Sequence, residues 1–257
     1  MIFSSKQKLS ALIITLNEEL HIKSLLENLD FADEIIVVDS FSNDKTVAIV
    51  NSFKNVILIQ NKFENFTTQR NFALQQASYN WVLFIDADER VTPELKSEII
   101  SILQNPKSAS AYLTYRIFKF KNKNLLFSGW QTDKIFRLFD KSKCSYVEEK
   151  LVHEKLLVNG TIEKTKNKII HYSYKNYHDY KLKMINYGTL KAIEKFKKGQ
   201  KSTFLMPFLH PSYKFLYQFI IRLGFLDGIK GIIICYLNAY SVYIRYIKLK
   251  ELTSSKI

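Results

Sequence analysis

The sequence predicts an α/β protein built on a mostly parallel sheet, with antiparallel strands added and a helical C-terminal region. Three observations predict this. Four short apolar runs, "LSALIIT", "EIIVVD", "NVILIQ" and "WVLFI", alternate with helix-like segments in the first part of the chain. Strands that are apolar on both faces belong to parallel sheets covered by helices. The pattern then changes to period two in "SAYLTYRIFKF", as in an antiparallel strand. Charge divides the chain as well. Residues 1–154 carry 19 Lys+Arg and 19 Asp+Glu, whereas residues 155–257 carry 19 basic and 5 acidic residues and so hold the whole net charge of +14.

Each element has its own signal. The strand Leu9–Thr15 stops before Asn17, which is expected to cap the first helix with Glu18 and Glu19 at its positive end. That helix places Ile22, Leu25, Leu26 and Leu29 on one face. "EIIVVDS" is the second strand, "SNDKTVAIVNSF" a helix that opens with capping residues, and "NVILIQ" the third strand. "NFTTQRNFALQQA" reads as helix and "WVLFI" as the fourth strand. Thr92-Pro93-Glu94 supplies an N-cap, a proline at N1 and an early acid, a strong helix start.

In "SAYLTYRIFKF" the alternation sets Ala111, Leu113, Tyr115 and Ile117 on one face. "DKIFRLF" and "KLVHEKLLVNGTIEK" read as further strands, the second folded at an Asn159-Gly160 hairpin turn. From Asn176 to Lys198 a helix is expected, with Tyr177, Tyr180, Met184 and Tyr187 on one stripe.

The chemistry starts at "NWVLFIDADERVTPEL". The apolar run Trp81–Ile85 ends abruptly in Asp86, Ala87, Asp88 and Glu89. A buried unpaired carboxylate is costly, and like charges this close oppose each other's ionisation. Basic side chains or a cation must therefore meet them. Ligands of open parallel sheets bind outside the carboxyl ends of the strands, and this cluster sits at such an end. The front half has no glycine-rich phosphate loop, so a bound nucleotide would rely on side chains and a metal. Asp86 and Asp88 are two residues apart and leave an extended chain on the same side. Hard oxygen ligands of this kind suit Mg²⁺ or Mn²⁺ bridging to a diphosphate.

D-x-D alone is a common pattern. Taken together, "LSALIITLNEE", "ADEIIVVDSFSNDKT", "TTQRNFALQQA" and "WVLFIDADERV" resemble the successive blocks of family 2 glycosyltransferases of the GT-A fold. Later blocks, "GWQTDKIFRLF", "LVHE", "IHYSY" and "GFLDGIKG", are similar to the lipopolysaccharide-core subgroup, which transfers glucose or a related sugar. The resemblance covers nearly the whole chain. It implies a GT-A catalytic domain over residues 1–175, with a nucleotide-sugar half at 1–105 and an acceptor half at 106–175. Residues 176–257 then form a basic, aromatic helical region.

The resemblance also implies roles. Thr15 and Glu18 would border the nucleotide base, Asp39 would accept from the uracil or ribose, and Arg70 would approach the base or diphosphate. Asp86 would contact the ribose or the metal, and Asp88 would be the main ligand of Mg²⁺ or Mn²⁺. An inverting transfer needs a base for the acceptor hydroxyl. Glu154 of "VHE" is the expected base, and Asp133 of "GWQTD" is its rival. Asp133 would otherwise hold an acceptor hydroxyl while Trp130 offers a sugar ring an apolar face. His153 or His171 would add a metal or phosphate contact. The family's common "GWYPD" is replaced here by Gln131-Thr132, which leaves the acceptor open.

Residues 202–249 are apolar and aromatic, yet Arg222, Asp227, Lys230 and Arg245 interrupt them. The uncharged stretch from Gly231 to Ile244 falls short of the roughly 20 residues a spanning helix needs. Tyrosines beside basic residues suit helices lying in the interface of an anionic bilayer, or a helical pair packed on the catalytic domain. No secretory leader is read at the N-terminus. The expected place is therefore the cytoplasmic face of the bacterial inner membrane, with a nucleotide-sugar donor, a glycolipid or oligosaccharide acceptor and the anionic membrane surface as partners. Two isolated cysteines form no disulfide framework. A sugar-nucleotide or polysaccharide-binding scaffold without catalysis is the second reading. Nucleic-acid binding rests on net charge alone and is not expected.

Overall fold

The computed structural model describes residues 7–104, 109–120, 123–148, 154–174 and 176–254. The elements are, in chain order, β1 (Leu9–Thr15), α1 (Ile22–Asn28), β2 (Glu34–Asp39), α2 (Thr46–Asn51), β3 (Val56–Gln60), α3 (Phe66–Gln76), β4 (Trp81–Phe84), β5 (Glu89–Val91) and α4 (Pro93–Gln104). Then follow β6 (Ala109–Phe120), β7 (Lys123–Leu125), β8 (Lys134–Asp140), β9 (Cys144–Glu148), β10 (Glu154–Val158), β11 (Thr161–Lys164) and β12 (Ile169–Tyr174). The chain closes with α5 (Tyr177–Lys197), α6 (Met206–Leu216) and α7 (Ile229–Ser254). Two compact units result: Met1–Arg116 with Lys134–His171, and Ile117–Asp133 with Tyr172–Ile257.

In the first unit β3, β2, β1 and β4 pair in that order, all parallel. Antiparallel β8 and β6 extend the sheet beyond β4. The expected mixed α/β sheet is therefore observed. Alternation along the strands divides the core. Leu9, Ala11, Ile13, Ile35 and Val37 pack with Ile22, Leu25, Leu26 and Leu29 of the first helical layer and with Leu95, Ile99 and Leu103 of α4. Leu12, Ile36, Val38 and Phe84 face the other way, onto Ala73 and Leu74 of α3 and onto Tyr146 and Leu156. Both faces are covered, and so the strands read as unbroken apolar runs.

Three local expectations are corrected. Asn17 does not cap α1, which starts only at Ile22. Asn17 instead adopts a left-handed backbone, φ 57°, and its Oδ1 accepts from the Asn43 N–H at 2.9 Å. The buried face of β6 towards its C-terminal end is Tyr112, Thr114, Phe118 and Phe120, while Leu113, Tyr115 and Ile117 are only partly covered. Asn159-Gly160 is no hairpin: β10 pairs with β9 in a separate two-stranded sheet, whereas β11 runs parallel to β6. Gly160 has φ 137°, and a Cβ there would lie 2.2 Å from Ser110 Oγ. The glycine serves close passage of the backbone over β6.

In the second unit β7 pairs antiparallel with the end of β6. Phe118, Phe120 and Leu125 form a cluster with Tyr180 and Met184 of α5 and with Ile234 and Leu237 of α7. Asn176 caps α5 by accepting from the Asp179 N–H at 2.9 Å. The expected stripe of α5 faces this core: Tyr180 and Met184 are buried, and Tyr177 and Tyr187 pack against them. Among the described residues no helix is long and apolar enough to cross a membrane.

Candidate active site

The carboxyl ends of β1, β2 and β4 lie side by side, because Thr15 is in register with Asp39 and Leu12 with Phe84. Thr15 is buried, and its Oγ1 has no hydrogen-bond partner among the described residues. Asp39 is fully buried. Its carboxylate accepts from the backbone N–H of Ser42 at 2.9 Å and from the Ser42 hydroxyl, fixing the loop after β2. That loop is tied to the one after β1, since Ser42 Oγ accepts from the Asn17 N–H and Thr46 Oγ1 from the Glu18 N–H, each at 2.8 Å. Glu18 itself is partly exposed on this rim.

Guanidinium groups meet Asp86 and Glu89 after β4. One Asp86 oxygen accepts from Arg70 Nη2 at 3.0 Å, and the other accepts from Arg137 Nη2. Arg137 also donates to Glu89 Oε1 at 2.7 Å, with Arg116 3.7 Å from the same oxygen. Arg137 and Glu89 are almost wholly buried. Burial alone would push the Asp86 carboxyl up, but the charges of Arg137, Arg70 and His171 hold it well below the usual carboxylate range. Burial likewise opposes the charge on Arg137, and Asp86 and Glu89 more than offset it.

Asp88 meets a histidine. His171 Nε2 lies 3.1 Å from Asp88 Oδ2. The antiparallel pairing of β5 and β12 sets this contact, for it puts His171 opposite Glu89. Among the described residues no group of three or more His, Cys, Asp or Glu is arranged to hold an ion.

Helix α3 is fixed by the "QRN" of its sequence. Gln69 donates to Ser40 Oγ at 3.1 Å, Arg70 reaches Asp86, and Asn71 makes paired bonds with the Tyr146 backbone at 2.8 and 3.0 Å. Arg70 is buried, with Phe84 and Tyr146 rings 4.6 and 5.5 Å from its Cζ. It lines a cavity of about 240 Å³ together with Lys134, Tyr146 and Lys155. Glu154 opens β10 opposite Glu148. Its side chain, like the whole of His153, lies outside the described residues.

Trp130 and Asp133 belong to the second unit. They bracket a single helical turn entered through Gly129, whose φ of 98° favours glycine. Trp130 lies against Phe118, with centroids 3.9 Å apart. Gln131 braces the turn: it accepts from the Gly129 N–H at 2.9 Å and donates to the Arg222 carbonyl at 2.8 Å, while Thr132 Oγ1 accepts from Arg222 Nη2 at 3.5 Å. The preceding loop is held by Asp227, a buried carboxylate that accepts from the N–H groups of Leu126 and Phe127, each at 3.0 Å, and from the Ser128 hydroxyl at 3.2 Å.

The model of Glycosyl transferase family 2 matches residues 10–222, a span that holds every one of these side chains except Asp227. The chain belongs to this family. It is a glycosyltransferase. Similar proteins include the lipopolysaccharide core biosynthesis glycosyltransferase LpsC of Rhizobium meliloti (strain 1021), 27% identical over 94% of both chains. An uncharacterised glycosyltransferase of Rickettsia bellii is 29% identical over 96% of this chain and 87% of its own. Among solved structures, S. aureus TarS (residues 1–349) aligns with 97% of this chain and 92% of its own at 18% identity and a TM-score of 0.48.

Sequence reasoning reached the carboxylates of this glycosyltransferase that stand at strand ends, Glu89 among them, and it missed the parts played by Arg137, Arg116 and Asp227. Arg137 had a signal. A lone arginine inside the apolar strand "KIFRLF" demands a buried acid, and Asp86 and Glu89 were already in need of a base.

Proposed function

We propose that this glycosyltransferase moves a sugar, glucose or a related hexose, from a UDP-sugar to a lipopolysaccharide-core or other cell-surface glycan. Transfer inverts the anomeric centre and depends on Mg²⁺ or Mn²⁺. The observation that carries the reading is the approach of Asp88 Oδ2 and His171 Nε2 to 3.1 Å after β4. Two adjacent donors, a carboxylate and an imidazole, fit a divalent cation that completes its shell with diphosphate oxygens and water. The cation would neutralise charge on the departing UDP. Both Asp86 oxygens are engaged by arginine, so Asp88 and His171 are assigned as its ligands, and Asp86 instead sets the position of Arg70.

Thr15, Glu18 and Asp39 form the proposed nucleotide rim. The Thr15 hydroxyl, unpartnered among the described residues, supports this, and Asp39 orders the loop that would meet the uridine. Glu154 takes the proton of the acceptor hydroxyl, with Asp133 the alternative base. Trp130 and Asp133 receive the acceptor. The core-biosynthesis name of the LpsC relative supports a glycan of that class.

We further assign the chain to the surface of an anionic membrane on its cytoplasmic side. Leu205, Phe208, Leu209, Tyr213 and Leu216 recur at helical spacing along α6 and are 51–68% exposed. Ile229, Ile232 and Tyr236 continue the exposed apolar surface on α7. A contiguous patch of this kind, in the half of the chain that holds all the net positive charge, suits a bilayer interface.

The test is to incubate the purified chain with a panel of nucleotide sugars and truncated core oligosaccharides, with Mn²⁺ or EDTA, and to measure nucleotide release and glycan mass. Metal-dependent release of UDP with a hexose added to the glycan is expected. Tight nucleotide-sugar binding without turnover on any acceptor would favour a binding scaffold.

A further inference from the structure

The second unit contains a cavity of about 360 Å³, at the small end of the range for ligand sites. Its wall includes Trp130, Asp133, Lys214, Gln218, Asn238 and Arg245. Two of these are cations on separate helices, Lys214 on α6 and Arg245 on α7. Neither forms an ion pair among the described residues, and Asp133 is the one acid among the described lining residues.

The wall also has a surplus of hydrogen-bond donors. The Trp130 Nε1–H and the Arg245 Nε–H are both buried and have no acceptor among the described residues, against one buried acceptor on the same wall, Gln218 Oε1, that has no donor there. Buried polar groups in folded proteins are nearly always satisfied, so an exception calls for a ligand or a functional reason. Burial, with the charges of Arg245 and Arg222, pushes Lys214 below the ordinary lysine range. Burial lowers Arg245 too, although Tyr246 and Glu194 oppose the shift. Cations gathered at a cost to their own ionisation, together with unused donors, call for acceptor-only chemistry. Oxygens of an anion supply it.

We propose that Lys214, Arg245 and the Trp130 Nε1–H form a subsite for an anionic substituent, a phosphate or a carboxylate, carried by a sugar. Assigning that sugar to the acceptor rests on the transfer reaction proposed above. The anion site itself rests on the cavity. Specificity follows from it: an acceptor with a charged group beside the reacting ring is preferred over its neutral analogue.

Binding can be measured without turnover. Trp81 and Trp130 are the only two tryptophans, so a Trp81→Phe background makes Trp130 the sole indole reporter. Its fluorescence is followed against inorganic phosphate, glucose 6-phosphate, glucuronate and glucose. The charged probes should bind at least about tenfold more tightly than glucose, as expected for charge-assisted hydrogen bonds. Whichever of phosphate and carboxylate binds better identifies the substituent. Lys214→Met and Arg245→Met should each weaken charged probes about tenfold or more and leave glucose unchanged.

In the unsubstituted, ¹⁵N-labelled chain, saturating phosphate should move the Arg245 Nε–H and Trp130 Nε1–H resonances. Failure of both to move overturns the site without recourse to a variant, as does equal affinity for charged and neutral probes. Phosphate binding here with no transfer from any donor would refute the reaction and spare the subsite. Transfer with equal efficiency to charged and neutral acceptors would spare the reaction and overturn the assignment of the anion site to the acceptor.

Discussion

Replacing Arg137 with methionine should be among the most destabilising single changes in the first unit. The side chain is 1% exposed and Glu89 is fully buried, and Arg137 donates both to Glu89 at 2.7 Å and to Asp86. Methionine fills most of the volume and removes the charge. Asp86 keeps Arg70 at 3.0 Å, but Glu89 is left with Arg116 at 3.7 Å and the Asp86 N–H at 3.2 Å, neither of which replaces the lost close cation. Removing one partner of a buried ion pair costs about 3–5 kcal/mol, because the remaining charge stays desolvated. At about 2–4 °C per kcal/mol for a chain near this size, the melting temperature should fall on the order of 10 °C.

The pH dependence has a fixed sign. The folded Asp86 carboxyl lies below its ordinary value of 3.8, so it contributes stability that is complete above that value and drains away as pH falls further. Arg137→Met should flatten this acid limb as well as lower the plateau. Thermal unfolding followed by circular dichroism from pH 2 to 7 measures both. In a cycle with Glu89→Gln, the double variant should lose much less than the sum of the single losses. A single variant within about 1 kcal/mol of wild type, or losses that simply add, would refute a coupled buried cluster.

Asp227→Ala removes three hydrogen bonds to a buried carboxylate and should cost about 3 kcal/mol, read as a lower melting temperature. It should also raise KM for acceptor more than for donor, since the loop it holds leads into Trp130. Phe208→Ser with Leu209→Ser changes side chains that are 56% and 63% exposed, so melting should barely move while sedimentation with phosphatidylglycerol-containing vesicles is lost. Retention on vesicles would argue against α6 as the membrane contact. Glu154→Gln should lower kcat by about 10² to 10⁴-fold at unchanged UDP affinity. Asp133→Asn should instead act mainly through acceptor KM. A dead Asp133→Asn enzyme beside an active Glu154→Gln enzyme would exchange the two roles.

The fold was legible wherever burial on both faces left a continuous apolar run, and wherever a helix start was chemically distinct, as at Thr92-Pro93. It was less legible where long-range pairing decides the outcome. Nothing local in "LLVNGTIEK" tells that β10 and β11 join different sheets; the close passage over Ser110 decides it. The Asn17 loop was misread because asparagine suits both an N-cap and a left-handed turn, and the partner that selects the turn is some 25 residues away. In the candidate site, the carboxylates after β4 were conspicuous but their partners were not. Arg70, Arg137, Arg116 and His171 come from four separate elements, one helix and three strands, and only the tertiary fold brings them to Asp86–Glu89. The cation inferred from the sequence was one of two ways to satisfy those charges. Arginines satisfy Asp86 and Glu89, and Asp88 with His171 is the pair to which the cation is assigned.

The most direct test of that assignment is the affinity of UDP measured by calorimetry with Mn²⁺ present and with EDTA, for wild type, Asp88→Asn and His171→Ala. Wild type should bind UDP at least about tenfold more tightly with Mn²⁺, the expected scale for one lost ligand or its orienting partner. Both variants should bind with or without Mn²⁺ as wild type does in EDTA, at melting temperatures close to wild type. Tight, Mn²⁺-dependent UDP binding by Asp88→Asn would contradict the account and place the cation elsewhere.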